Sequence, residues 1–323
     1  RTYMVPMLRY FSVRNISFSD RQIINLKRLI YIELALIGYY GFFQAFVLGD
    51  QFAIKLGYPQ VGGFLATTSY YIGGFWGYQR VIGTFISPNV AGVIFAIALF
   101  TFLFRGSYDE KNKWLITGGL ALGLIGTFSR SAMIGFILAV LLVIFAVGKI
   151  KINGTKILLW VVGIIFGIII VMVVDSMILD NLFSRMLNSS FSGMLNMTDL
   201  SAQKHLTDMT EPIKEVMKSP FGLGFGNNGP MALSVNTKAN VVESSFFLMA
   251  YEIGVIGAII YFVPYFMVII NTFAKINRYT IPAGVMIICL FTYLLLPNVQ
   301  TFEISFYAFL FMGFYDNDTI GDM

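Results

Sequence analysis

The sequence predicts an all-α fold, a polytopic membrane helix bundle of about eight spans with a large extracytoplasmic loop, on three observations. Of 323 residues, 57% are hydrophobic and 12% charged, and the mean hydropathy is +0.76, whereas soluble domains carry about 25% charged residues. The 22 basic and 17 acidic side chains are too few to build a hydrated shell around a core of this size. The apolar residues gather into runs near the roughly 17 to 25 residues that cross a bilayer. No alternating ten-residue pattern is present, so the backbone must satisfy itself within helices and not within barrel strands.

The runs fall at 29–48, 86–104, 114–128, 131–148, 157–175, 245–273, 281–297 and 302–315. The third and fourth are short and meet at Thr127-Phe128-Ser129-Arg130-Ser131, a polar interruption with no room for a loop. Charge placed so near a bilayer usually serves a function. The sixth run has 29 residues, roughly 43 Å as a helix, and is expected to protrude or to kink at Pro264.

Alternate connections differ in charge. One side takes Arg1, Arg9, Arg14, Arg21, Lys27, Arg28, Arg105, Lys111, Lys113, Lys149, Lys151, Lys156, Lys275 and Arg278, and the other takes eight basic residues spread over much longer loops. By the positive-inside rule the first side is cytoplasmic, and the loops at about 49–85 and 176–244 face outward. The expected organisation is an N-terminal transmembrane bundle over 1–175, an extracytoplasmic catalytic loop over 176–244, and C-terminal transmembrane helices with a cytoplasmic tail over 245–323. The first apolar run lacks a cleavage site and is long enough to span, so no signal peptide is read there. The segment Tyr3 to Phe11 resembles the tail of a preceding hydrophobic segment, and further N-terminal spans are expected.

Several chemistries are excluded by composition. The basic residues are scattered and lack the interleaved aromatics of a nucleic-acid face, so no nucleic-acid partner is expected. One cysteine, Cys289, and one histidine, His205, supply no zinc ligand set. The Asp316-Asn317-Asp318 triplet is assigned to a solvated C-terminal tail.

The loop 176–244 carries the residues of interest. His205 and Asp208 are three apart in a stretch where Leu206, Met209, Ile213 and Val216 recur at helical spacing. This is an amphipathic interfacial helix. Asp208 either orients the imidazole or forms an ordinary helix charge pair with it. Then comes Pro220-Phe221-Gly222-Leu223-Gly224-Phe225-Gly226. Such a stretch is either a nest that brings amides to an anion or a re-entry turn. It is not a dinucleotide fingerprint, because no strand precedes it. In the first outer loop, Ser87-Pro88-Asn89 launches a helix, and Arg80 stands near the membrane surface. There it either anchors lipid headgroups or, with Arg130, clamps a diphosphate through forked hydrogen bonds.

Arg80-Val81-Ile82-Gly83-Thr84-Phe85, Ser87-Pro88-Asn89 with Gly92, Thr127 to Ala132, His205-Leu206, Pro220 to Gly226, Glu243-Ser244-Ser245, and Glu252-Ile253-Gly254-Val255-Ile256-Gly257 together resemble the O-antigen ligase and polymerase family of envelope glycosyltransferases. The likeness runs in order from Arg80 to about Gly257. It implies a GT-C-type, metal-independent transferase in the plasma (inner) membrane, without cofactor, acting on the outer face. The implied donor is an undecaprenyl-diphosphate-linked oligosaccharide and the acceptor a growing glycan. A flippase and a chain-length regulator are the implied protein partners. The resemblance assigns Arg80 and Arg130 to the diphosphate, His205 or Glu243 to general-base work, and Asp208, Asn89, Gly222, Gly224 and Gly226 to support. Ligases often carry His-Asn where this chain has Glu243-Ser244, which looks more like the polymerases. The weighed alternatives are a ligase or protein oligosaccharyltransferase and, from another class, a secondary transporter, whose paired broken helices the sequence does not display.

Overall fold

The computed structural model describes residues 4–16, 19–58, 60–61, 64–65, 70–71, 79–105, 112–146, 216–226, 228–229, 232, 242, 244–274 and 276–318. The expected span 157–175 and the expected amphipathic helix up to residue 215 lie outside them. The described residues form one compact, almost wholly helical unit built from Arg1–Ala146 and Asp208–Met323. Its helices are α1 (Met4–Asn15), α2 (Asp20–Phe43), α3 (Gly49–Lys55), α4 (Pro88–Arg105), α5 (Lys113–Gly126), α6 (Arg130–Ala146), α7 (Ser245–Ala274), α8 (Ile276–Leu295) and α9 (Phe302–Asp318). A π-helical turn, Gln44–Leu48, joins α2 to α3. Two short strands, β1 (Gln60–Val61) and β2 (Phe64–Leu65), pair antiparallel, and Tyr71 bridges to Gln79.

Helix α4 is the axis of the unit. Every residue from Val90 to Phe102 is buried, as expected for a helix that is apolar all round and has neighbours on every side. Those neighbours are α2, α5, α6, α8 and α9. Tyr31 of α2 stacks on Phe311 of α9 and meets Phe102 of α4 edge-on, at ring centroid separations of 5.4 and 5.1 Å. Small residues let backbones approach: Gly38 of α2 faces the backbone of Gly119 in α5, and Gly284 of α8 faces the Phe100 ring.

The outer faces are apolar too. On α7, Ile256, Ile259, Ile260, Phe266, Met267 and Ile270 are exposed, a continuous apolar surface of the kind that meets lipid or another protein. Among the described residues, two helical stretches, Arg21–Lys55 and Ser245–Thr272, are long and apolar enough to cross a membrane. Shorter apolar helices cover Pro88–Phe104, Lys113–Gly126, Arg130–Ile144, Thr280–Leu295 and Phe302–Phe314.

The structure adds to three sequence readings. Helix α2 begins at Asp20, nine residues before the apolar run, because the Ser19 amide donates to Gln22 Oε1 at 2.9 Å and Ile23, Lys27, Ile30, Tyr31 and Leu34 form one buried stripe. Helix α7 breaks at Gly254 (φ 78°, ψ 166°), while Pro264 lies inside the helix without a comparable break. Asp316-Asn317-Asp318 forms the last turn of α9.

Helices α4, α6, α7 and α9 start, and α2, α5 and α8 end, at the same end of the unit. Contacts at that end tie Gly41 to Val81 and Gly135 to Ile288, Val81 to Gly126 and Ser245 to Leu296, and Phe85 to Tyr307. This is the end that the charge bias assigns to the outside.

Candidate functional site

The segment 79–89 is the keystone of that end. Ser87 caps α4: its Oγ accepts the Val90 amide at 3.3 Å and its carbonyl accepts the Ala91 amide at 3.0 Å. Pro88 fits the first helical position, where no amide partner is needed. Upstream, the Arg80 amide donates to Tyr70 O (2.7 Å) and the Val81 amide to Gly126 O (2.8 Å). The guanidinium of Arg80 joins two further segments, donating from Nε to Thr127 O at 2.6 Å and from Nη2 to Asn89 Oδ1 at 2.8 Å.

The Thr127–Ser131 interruption closes around this cation. Phe128 takes a left-handed conformation, φ 49°, which a bulky residue adopts only under local constraint. Thr127 Oγ1 donates to Leu124 O at 2.7 Å, ending α5, and the Ser129 carbonyl accepts the Met133 amide at 3.0 Å, starting α6. Gly92 permits the approach of α4, since an added Cβ would lie 2.7 Å from Ser129 Cβ and 2.9 Å from Thr127 Oγ1.

Arg130, exposed at the first position of α6, stands close enough to matter electrostatically. Burial first, and the charge of Arg130 second, lower the pKa of half-buried Arg80 to about 10. Arg80 therefore stays protonated at neutral pH, and its penalty in the folded state is relieved only as pH rises through about 10 toward the ordinary guanidinium range. Two cations beside the N-terminal ends of α4 and α6 stand where helix dipoles also favour negative charge. A polyanion held by both guanidiniums would offset burial and mutual repulsion together.

The described residues between Asp50 and Tyr71 pack onto this segment. Ala53, Leu65, Tyr70, Tyr71 and Ile82 form a small core. Tyr71 donates to Asp50 Oδ2 at 2.6 Å and accepts the Leu65 amide at 2.8 Å. Tyr58 donates to Gly83 O (3.0 Å) and Tyr70 to Ile86 O (2.8 Å). Burial, and after it the Asp50 hydrogen bond, raise the Tyr71 pKa, so the phenol stays a donor. Tyr71→Phe strands the Leu65 amide and is expected to lower stability by about 1–3 kcal/mol, read as a fall in the thermal midpoint; an unchanged midpoint contradicts this role.

The glycine stretch lies elsewhere, as a splint over the break in α7. Breaking the helix at Gly254 strands carbonyls and amides that the turn takes up. Leu223 N donates to Tyr251 O (2.8 Å), Gly224 N to Glu252 O (2.9 Å) and Val255 N to Pro220 O (3.1 Å). Gly222 (φ 82°) is required, because a Cβ there would lie 2.5 Å from Glu252 O and from Gly254 N. The Gly222 amide donates to Ser219 O and that of Gly226 to Glu252 Oε1 at 2.7 Å. Of the two readings left open by the sequence, the re-entry turn describes these amides. The anion met by Gly226 is the chain's own carboxylate.

The structure thus brings together Arg80, Arg130 and Asn89, and separately Gly222, Gly224 and Gly226 with Glu252. His205, Asp208 and Glu243 lie outside the described residues. Glu243 follows Val242, whose amide donates to Asn228 Oδ1 at 3.3 Å, and precedes Ser244, whose hydroxyl donates to Tyr293 O at 3.4 Å. Sequence reading missed Gln300, which donates to Glu252 Oε1 (3.0 Å) and Asn228 O (3.2 Å); its signal was a polar residue kept between two apolar runs. Among the described residues, no three His, Cys, Asp or Glu side chains converge on a metal position.

No curated protein and no solved structure matches the chain. Residues 115–262, which hold the Thr127–Ser131 turn, the glycine turn and the break in α7, match the family model described as O-antigen ligase (Wzy_C). Over these residues, a little under half of the chain, the protein is similar to the O-antigen ligase family.

Proposed function

We propose that the protein is a polymerase of cell-surface polysaccharide, crossing the membrane about eight times and working at its outer face. It transfers glycan from an undecaprenyl-diphosphate donor to a sugar hydroxyl. The observation that carries the reading is the Arg80 guanidinium fixed between Thr127 O and Asn89 Oδ1 within the electrostatic reach of Arg130.

In this reading the acceptor hydroxyl attacks the anomeric carbon, and its proton passes to His205 or Glu243. The bond from that carbon to the diphosphate oxygen breaks, and undecaprenyl diphosphate leaves with the electron pair. Negative charge grows on the leaving group, so cations held there stabilise the transition state more than the ground state. The base contributes about 10²- to 10⁴-fold. The sugar-diphosphate bond supplies the driving force, and the mechanism uses neither cofactor nor metal. The loop 176–244 would carry the base between the bundle at 1–175 and the helices at 245–323, and the prenyl tail would lie against the apolar outer faces. The multi-pass topology rests on the apolar helices and on the charge bias of the sequence.

Glu243-Ser244, where ligases often carry His-Asn, supports polymerase over ligase. The description of the matching family favours a second reading, transfer to a different acceptor. Purified protein incubated with lipid-linked oligosaccharide without added metal separates the two. A ladder of products supports the polymerase and single-step transfer to another acceptor supports a ligase. No transfer, with solute flux across vesicles, replaces both by a transporter.

A further inference from the structure

Glu252 is the one acidic side chain among the described residues buried almost completely, at 2% exposure. Burying a carboxylate inside a helical bundle is costly unless it is well bonded. Its Oε1 accepts from the Gly226 amide at 2.7 Å and from Gln300 Nε2 at 3.0 Å. The backbone bonds across the α7 break already hold residues 220–224, so the side chain adds something else: a bond from the far end of the glycine turn to the connection between α8 and α9.

Both partners lead back toward the proposed site. Gln300 Nε2 also donates to Asn228 O, and Asn228 Oδ1 accepts the amide of Val242, the residue before Glu243. On the other side, the connection Asn298–Gln300 opens into α9, where Tyr307 meets Phe85 edge-on at 6.4 Å, five residues after Arg80. One carboxylate thus joins the chain that enters Glu243 to the helix that backs the arginine segment.

We propose that Glu252 is a positioning residue: buried at the break of α7, it latches the glycine turn to the α8–α9 connection through Gly226 and Gln300, and so fixes the segments that bring base and diphosphate site together. The assignment rests on the polymerase reading for its kinetic consequence and on geometry alone for the latch.

The test uses the full chain, with hydrogen exchange over residues 220–229 and the kinetics of ladder formation from lipid-linked oligosaccharide. Glu252→Ala is expected to speed exchange about tenfold, as loss of the bonds to the Gly226 amide and to Gln300 opens the turn. It is expected to lower kcat by about tenfold or more while the donor KM changes little. Glu252→Gln keeps the accepting oxygen and is expected to restore both, and adding Gln300→Leu to Glu252→Ala is expected to cost little further, because the two act as one unit. Unchanged exchange in Glu252→Ala overturns the latch. Faster exchange with wild-type kinetics overturns the positioning role, and so does a Glu252→Gln enzyme with normal exchange but the slow kcat of Glu252→Ala, since the carboxylate would then act chemically. If Glu252→Ala does not fold, Gln300→Leu and Glu252→Gln carry the same comparison. A wild-type protein that makes no polymer overturns the functional reading and the positioning role with it, while exchange still reports on the latch.

Discussion

Arg130→Lys is expected to abolish long-chain product while leaving the protein folded in the membrane. Arg130 is exposed at the start of α6, so its replacement leaves the buried core of the bundle in place. Lysine keeps the charge but loses the planar fork that grips two phosphate oxygens. Loss of a preorganised donor to a developing anion costs about 10²- to 10³-fold in kcat. Arg80→Lys is expected to reach the same loss and to lower stability as well, because one ammonium cannot replace the two directed bonds to Thr127 O and Asn89 Oδ1. The pair is separable: thermal unfolding should shift for Arg80→Lys and not for Arg130→Lys, while gels of polymer length show short product for both. Wild-type chain length in Arg130→Lys contradicts the clamp.

The second large effect is expected at the base. His205→Ala and Glu243→Ala should differ, one losing about 10²- to 10⁴-fold in kcat and the other keeping most of it. Equal, small losses at both positions contradict general-base catalysis by either residue.

The helical class and most helix positions were legible because apolar runs carry their own boundary signals. Ser87-Pro88 reads as a helix start from local chemistry, and the structure uses it so. Thr127 to Ser131 could be recognised as a tight polar interruption. Its left-handed Phe128 has no local signal, and the bond from Arg80 to the Thr127 carbonyl comes from a segment 47 positions away. For the long sixth run the sequence offered protrusion or a kink at Pro264, by a rule about one residue. The break at Gly254 comes from Gly222 and Gly254 meeting backbone to backbone, a cause invisible in either local stretch. Helix α2 extends upstream of its apolar run because hydropathy marks lipid-like runs and passes over an amphipathic first turn, and the backbone carries α9 through Asp316 to Asp318.

The arginine pair itself is best interrogated by titrating undecaprenyl diphosphate, without any acceptor, into detergent-purified wild type, Arg80→Lys, Arg130→Lys and the double variant. Each single change should weaken binding about tenfold, as one forked, charge-assisted contact is lost, and the double change should weaken it further. Equal affinity in wild type and the double variant would show that the two guanidiniums hold no diphosphate.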